Sequence, residues 1–208
     1  MTAYKNFISD FPRRCIDILD LAKAGSRASG RDVTLVIMVA SASLVIPLER
    51  LRIKASGDAH PIGDLERFPD SAQQLQGLLK SPFVGSKIGP PADQKSWKLA
   101  QRLTNIEGDA EQWMARAQLK PVSGEKTVKA ILELMRNALA HGNLFTIGDP
   151  IASLVFVNFH WKNLPKGAPA EWVNFDALQV PPADLDELLC KWVEFLHQSN
   201  FLRLKLAA

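Results

Sequence analysis

Cysteine is nearly missing from this chain and histidine is scarce: 208 residues hold 2 of the first and 4 of the second. Cys15 and Cys190 stand far apart, each inside an apolar helical pattern. They read as small core residues in a reducing compartment, not as a disulfide framework. No Cys/His cluster has the spacing of a zinc site, and Asp58, His60 and Asp64, irregularly spaced in a loop, read as solvated side chains rather than metal ligands. A dinucleotide fingerprint and a nucleophile elbow are also lacking. Ser123-Gly124-Glu125-Lys126-Thr127 fails as a phosphate loop, because Glu125 separates glycine from lysine and the earlier glycine is absent. Charge of one sign is not in large excess: 25 Lys and Arg against 22 Asp and Glu leave +3, too little to announce a nucleic-acid binder. The longest apolar run, Val33 to Leu48, is shorter than the ~20 residues a membrane span needs. It is also interrupted by Thr34, Ser41, Ser43 and Pro47, so it reads as a buried core helix, with no membrane partner expected. The polar start shows no signal peptide, and a cytoplasmic location is expected.

What is present is an ordinary globular composition, 47% hydrophobic and 23% charged, enough for one domain with a substantial core. The basic excess sits early, with Arg50, Arg52 and Lys54 clustered where the second helix should end. That cluster suits either a phosphate or the negative end of a helix. Apolar spacing predicts helices over Asn6 to Lys23, Asp32 to Lys54 (bent at Pro47), Ser71 to Lys80 and Asp93 to Asn105, and a helical turn over Ala110 to Ala117. Later the period changes. Leu154, Phe156, Asn158 and His160 alternate with Val155, Val157 and Phe159, so Ile151 to Trp161 reads as a strand, with Glu171 to Val180 as its antiparallel partner. The turn Asn163 to Gly167 joins them, and Asp184 to Leu202 forms a final amphipathic helix. His160 and His197 read as structural.

The chemistry concentrates in Glu133-Leu134-Met135-Arg136-Asn137-Ala138-Leu139-Ala140-His141-Gly142-Asn143. A helix should start near Ser123 as N-cap, bury Val128, Ile131, Leu134, Met135 and Ala138, and stop at Gly142. Residues four apart share a face, so Lys129, Glu133, Asn137 and His141 form a polar row, and Glu133 can pair with Arg136. At ~100° per residue Arg136 and His141 stand ~140° apart, so they act on different parts of a ligand unless the arginine bends round.

Arg136-Asn137-Ala138-Leu139-Ala140-His141 resembles the Arg-Asn-x-x-x-His motif of HEPN domains (higher eukaryotes and prokaryotes nucleotide-binding). The helices before it resemble that family over roughly residues 5 to 145. The resemblance implies a mainly α fold: one domain over 1–208, a helical bundle over about 5–145, then a short antiparallel β hairpin over about 151–180 and a C-terminal helix over about 184–202. It also implies a metal-independent endoribonuclease that cleaves single-stranded RNA through the 2′-hydroxyl, as a toxin or defence effector. Arg136, Asn137 and His141 would be catalytic, Lys129 and Glu133 substrate-binding, and no cofactor or metal would be required. The active species would be a homodimer, with an antitoxin or inhibitor protein as a further partner. The alternative is a non-catalytic HEPN-like module that binds RNA, a nucleotide or a partner protein.

Overall fold

A five-stranded antiparallel sheet, not a hairpin, forms the frame of the carboxy-terminal half. The computed structural model describes residues 7–50, 69–161 and 172–199. Its strands are β1 (Lys98–Leu103), β2 (Lys120–Pro121), β3 (Leu144–Ile147), β4 (Ser153–Trp161) and β5 (Trp172–Val180), in the spatial order β2-β1-β5-β4-β3. The helices are α1 (Phe7–Ala28), α2 (Asp32–Ala40), α3 (Ile46–Arg50), α4 (Pro69–Lys80), α5 (Ala110–Arg116), α6 (Val128–His141) and α7 (Pro182–Gln198). The fold is therefore mixed α and β, and the expectation of a mainly helical bundle with a short hairpin is corrected.

The error has a local cause. Trp97, Ala100 and Leu103 recur every three residues and mimic a helix. In the sheet, Ala100 lies opposite Ala177 and Leu103 opposite Phe175, with a bulge between them. One extra residue in the strand thus returns Leu103 to the face of Ala100, so a period of three replaces the period of two. Arg102 sits in that bulge at φ 54°. β3 escaped notice because four residues right after a helix stop give too little alternation to read.

The strand expected around Ile151 to Trp161 is present as β4, paired antiparallel to β5 from Leu154↔Val180 to Trp161↔Trp172. Alternation along β4 and β5 gives the sheet two distinct faces. Leu154, Phe156, Leu178 and Val180 pack against α1, α2, α6 and α7 in the main core. Val155, Val157, Phe175 and Ala177 pack on the other side under Trp113 and Met114 of α5. Trp113 meets Phe145 and Phe175 edge-on, both at 5.6 Å, a geometry aromatic rings favour.

Pro47 has the effect expected of a proline within a helix, in an unusual form. Between α2 and α3 the backbone widens into a π-helical turn, Ser41–Val45. Pro47 has no N–H to return to the carbonyl of Ser43 one turn back. That oxygen instead accepts the indole N–H of Trp192, from α7, at 3.0 Å. The run from Asp32 to Arg50 is long and apolar enough to cross a membrane by length and composition. Here it packs against α1, α6 and α7. Cys15 is buried as expected but Cys190 is exposed, so only the first is a core residue. Arg52, Lys54, Asp58, His60, Asp64, the turn Asn163 to Gly167, Glu171 and Leu202 lie outside the described residues. The described part of the early basic cluster, Arg50, places its guanidinium 4.8 Å over the ring of Phe7.

Candidate functional site

Helix α6 starts four residues later than Ser123 suggested. Lys126 and Thr127 are held extended: Phe83 N–H donates to the Lys126 carbonyl at 2.7 Å, and Val128 N–H to the Ser81 carbonyl at 3.0 Å. Thr127 then serves as N-cap, its hydroxyl accepting from Ala130 N–H. The stop is where it was expected. Gly142 adopts the left-handed conformation at φ 69°, and Asn143 N–H reaches back to the Ala138 carbonyl at 2.8 Å. Val128, Ile131, Leu134, Met135 and Ala138 are buried, which fixes the rotation of the helix.

That rotation sorts the polar residues. Lys129, Glu133 and His141 are exposed, whereas Arg136 and Asn137 are half-buried against the rest of the fold. Arg136 does not pair with Glu133. Its Nη1 lies 2.7 Å from Oε1 of Glu49 in α3, at 17% side-chain exposure. Glu133 instead faces Lys129 at 3.8 Å, both well exposed, a pair worth little to stability. Asn137 donates from Nδ2 to Oδ1 of Asn158 on β4 at 3.0 Å, so its bond is to the sheet and not to His141.

Between α6 and the sheet opens a polar cleft of about 430 Å³. Lys126, Glu133, Arg136 and Asn137 line one side, and Gln101, Asn158, His160 and Asp176 the other. Lys129 and His141 are not among its lining residues. The sheet side follows from β4 alternation. The face that buries Leu154 and Phe156 continues with Asn158 and His160, and Asp176 lies directly across from Asn158. The face thus turns from apolar to polar where the helix layer ends.

Asp176 is held from two directions. Its Oδ1 accepts the backbone N–H of Arg102 at 2.9 Å, a donor turned toward it by the bulge. Its Oδ2 lies 3.2 Å from Nε2 of His160. An adjoining cleft of about 510 Å³ shares Leu99, Gln101 and Lys126 and adds Arg116 and Lys120, with no carboxylate in its lining. A cleft with a fork-shaped guanidinium, an ammonium, three carboxamides and an imidazole suits a phosphodiester: the cations meet the charge and the amides fix orientation.

Reasoning from sequence missed Glu49 and Asp176 as neighbours of this site and took His160 as structural. The signal for His160 was present, since Asn158 and His160 continue an apolar face with polar side chains. The signal for Glu49 was not, because its pairing depends on how the helices pack. His197, the other histidine read as structural, is exposed at the end of α7.

Comparison with known families matches residues 1–201 to the model described as HEPN pEK499 p136. No curated protein and no solved structure matches the chain.

Proposed function

We propose, from the premise that this chain belongs to the HEPN pEK499 p136 family, that it is an endoribonuclease cutting single-stranded RNA. Membership of that family points to a nuclease or RNA-related role. The finer reading is carried by one observation: the Arg136-Asn137…His141 motif ends α6 with Arg136 and Asn137 in a polar cleft. Cleavage through the RNA's own 2′-hydroxyl needs one group to accept a proton, one to give a proton, and positive charge against the crowded phosphorus. His141 suits proton transfer because an imidazole can both take up and give up a proton. Arg136 keeps further N–H donors for a phosphate beside the one aimed at Glu49. Asn137, already bound to Asn158, would present its carboxamide to a phosphate oxygen. The adjoining basic cleft offers a track for the flanking strand, with phosphates meeting Lys120, Lys126 and Arg116.

His141 lies outside the cleft of its own chain and is exposed. We therefore place it in a homodimer whose two motif helices come together, so that both motifs line one cleft. Sedimentation at assay concentration should give a dimer, and an active species that stays monomeric would exclude this arrangement. A toxin or defence role, kept in check by an inhibitor protein, is the biological setting that fits such an activity.

The two carboxylates of the cleft lie beside basic side chains, Glu133 3.8 Å from Lys129 and Asp176 3.2 Å from His160. In this reading proton transfer and charge stabilisation by side chains carry the reaction. Cleavage should persist in excess EDTA, leave 2′,3′-cyclic phosphate or 3′-phosphate ends with 5′-hydroxyls, and spare DNA of the same sequence. End analysis of labelled RNA and DNA tests all three, and activity that disappears with EDTA and returns with magnesium would exclude the mechanism.

A second reading, a module that binds RNA, a nucleotide or a protein without cutting, draws support from the engagement of Arg136 by Glu49. It predicts RNA retained and left intact by the purified protein.

A further inference from the structure

The ribonuclease reading leaves both proton transfers to His141, one from each copy of the chain. The cleft of a single chain already contains a different imidazole. We propose that His160, positioned by Asp176, is a proton-transfer residue of the same reaction, so that acid and base are His160 and His141 rather than two copies of His141. The inference rests on the ribonuclease reading and deepens it.

Three features point this way. His160 lines the same cleft as Arg136 and Asn137, and it arrives there through strand alternation from Asn158, whose side chain is tied to Asn137. Its ring is not held by packing, since the side chain is 44% exposed while Asp176 is 15% exposed. The imidazole is thus open to whatever enters the cleft while its carboxylate partner is shielded. Thirdly, Asp176 is itself fixed. The Arg102 N–H that holds its other oxygen comes from a non-glycine residue at positive φ, a conformation that costs energy and that surrounding structure must enforce. With Nε2 3.2 Å from Oδ2 of Asp176, Nδ1 is the nitrogen left to meet substrate.

The step balances without any further reactant. One imidazole accepts the 2′-hydroxyl proton as the O2′–P bond forms. The P–O5′ bond breaks, and the departing O5′ takes a proton from the other imidazolium. The products are a 2′,3′-cyclic phosphate and a 5′-hydroxyl, and the two histidines have exchanged protonation states.

The test compares wild type, His160→Ala and His160→Gln in three measurements: RNA cleavage, binding of a short 2′-O-methyl RNA oligonucleotide that lacks the nucleophile, and cleavage with added imidazole. Both variants should lose about 10²-fold or more in cleavage rate and bind the 2′-O-methyl oligonucleotide within about twofold of wild type. Free imidazole should restore part of the activity to the alanine variant. A residue needed only for packing would show no such rescue. Wild-type protein that leaves RNA intact overturns the ribonuclease reading and this one with it. Wild-type protein that cuts, beside variants that cut equally well, overturns the role of His160 alone. So does a loss of cleavage matched by an equal loss of binding, or a loss that imidazole does not relieve.

Discussion

Replacing His141 by alanine is expected to slow RNA cleavage about 10²–10⁴-fold, the usual contribution of a positioned acid or base, with stability within about 1 kcal/mol of wild type. The separation is possible because His141 is exposed in the last turn of α6, where its structural contribution is limited to its interaction with the negative helix end. The neighbouring positions would not separate the two effects. Arg136 is only 17% exposed and ion-paired to Glu49, so Arg136→Ala breaks that ion pair and removes the guanidinium at once. Its loss of activity would be hard to assign. Leu134, at 6% exposure, supplies the opposite control: alanine there should cost ~2–5 kcal/mol by leaving a cavity. Thermal melts and single-turnover cleavage on the three variants give the comparison. A well-folded His141→Ala protein that cuts at the wild-type rate would remove His141 from the mechanism.

The largest expected effect on stability is at Trp192. Its side chain is fully buried, stacks with Phe195 at 6.3 Å, and donates its indole N–H to Ser43 across the core. Trp192→Ala removes the largest side chain type from a closed interior, a change that costs ~3–5 kcal/mol through lost contacts and cavity. It also takes from the Ser43 carbonyl the donor that stands where Pro47 has none, and a buried polar group left without its partner costs about 1–3 kcal/mol more. Trp192→Phe isolates the second contribution, since it keeps a ring and loses the N–H. Melting should fall by about 2–4 °C per kcal/mol for a chain of this size, so the two variants should be well resolved. If Trp192→Phe melts with wild type, the indole bond contributes nothing and Ser43 has an adequate substitute.

The parts of this architecture that were legible in the sequence are those with a long unbroken period. α1, α6, α7, β4 and β5 each repeat their pattern over nine residues or more. Gly142 stops α6 where a glycine after the last apolar residue says it should. What failed was short or interrupted. The bulge in β1 converts a strand into an apparent helix by moving Leu103 onto the face of Ala100. The start of α6 depends on Phe83 and Ser81 claiming the backbone of Lys126 and Val128, a contact between segments some forty residues apart. The helix that carries Arg136, Asn137 and His141 was legible, because its period is plain. Its neighbours were not. Glu49 reaches Arg136 through helix packing and Asp176 reaches the cleft through strand pairing, and neither leaves a mark in the residues around Arg136.

The two faces of β4 have a further consequence. Core and cleft are coupled through odd and even positions of one strand, so substitution and insertion act on them very differently. Changing Asn158 can re-tune what the cleft accepts without disturbing Val157 or Phe159, which belong to the aromatic layer beneath. A single residue inserted before Asn158 would do the reverse. It would turn Phe159 into the cleft and press the Asn158 carboxamide into the layer under α5, exchanging both environments together. The strand tolerates chemical variation and forbids changes in length. Divergence of substrate preference in such a scaffold is therefore open to point replacement at Asn158, while gains or losses of residues are excluded from the strand itself.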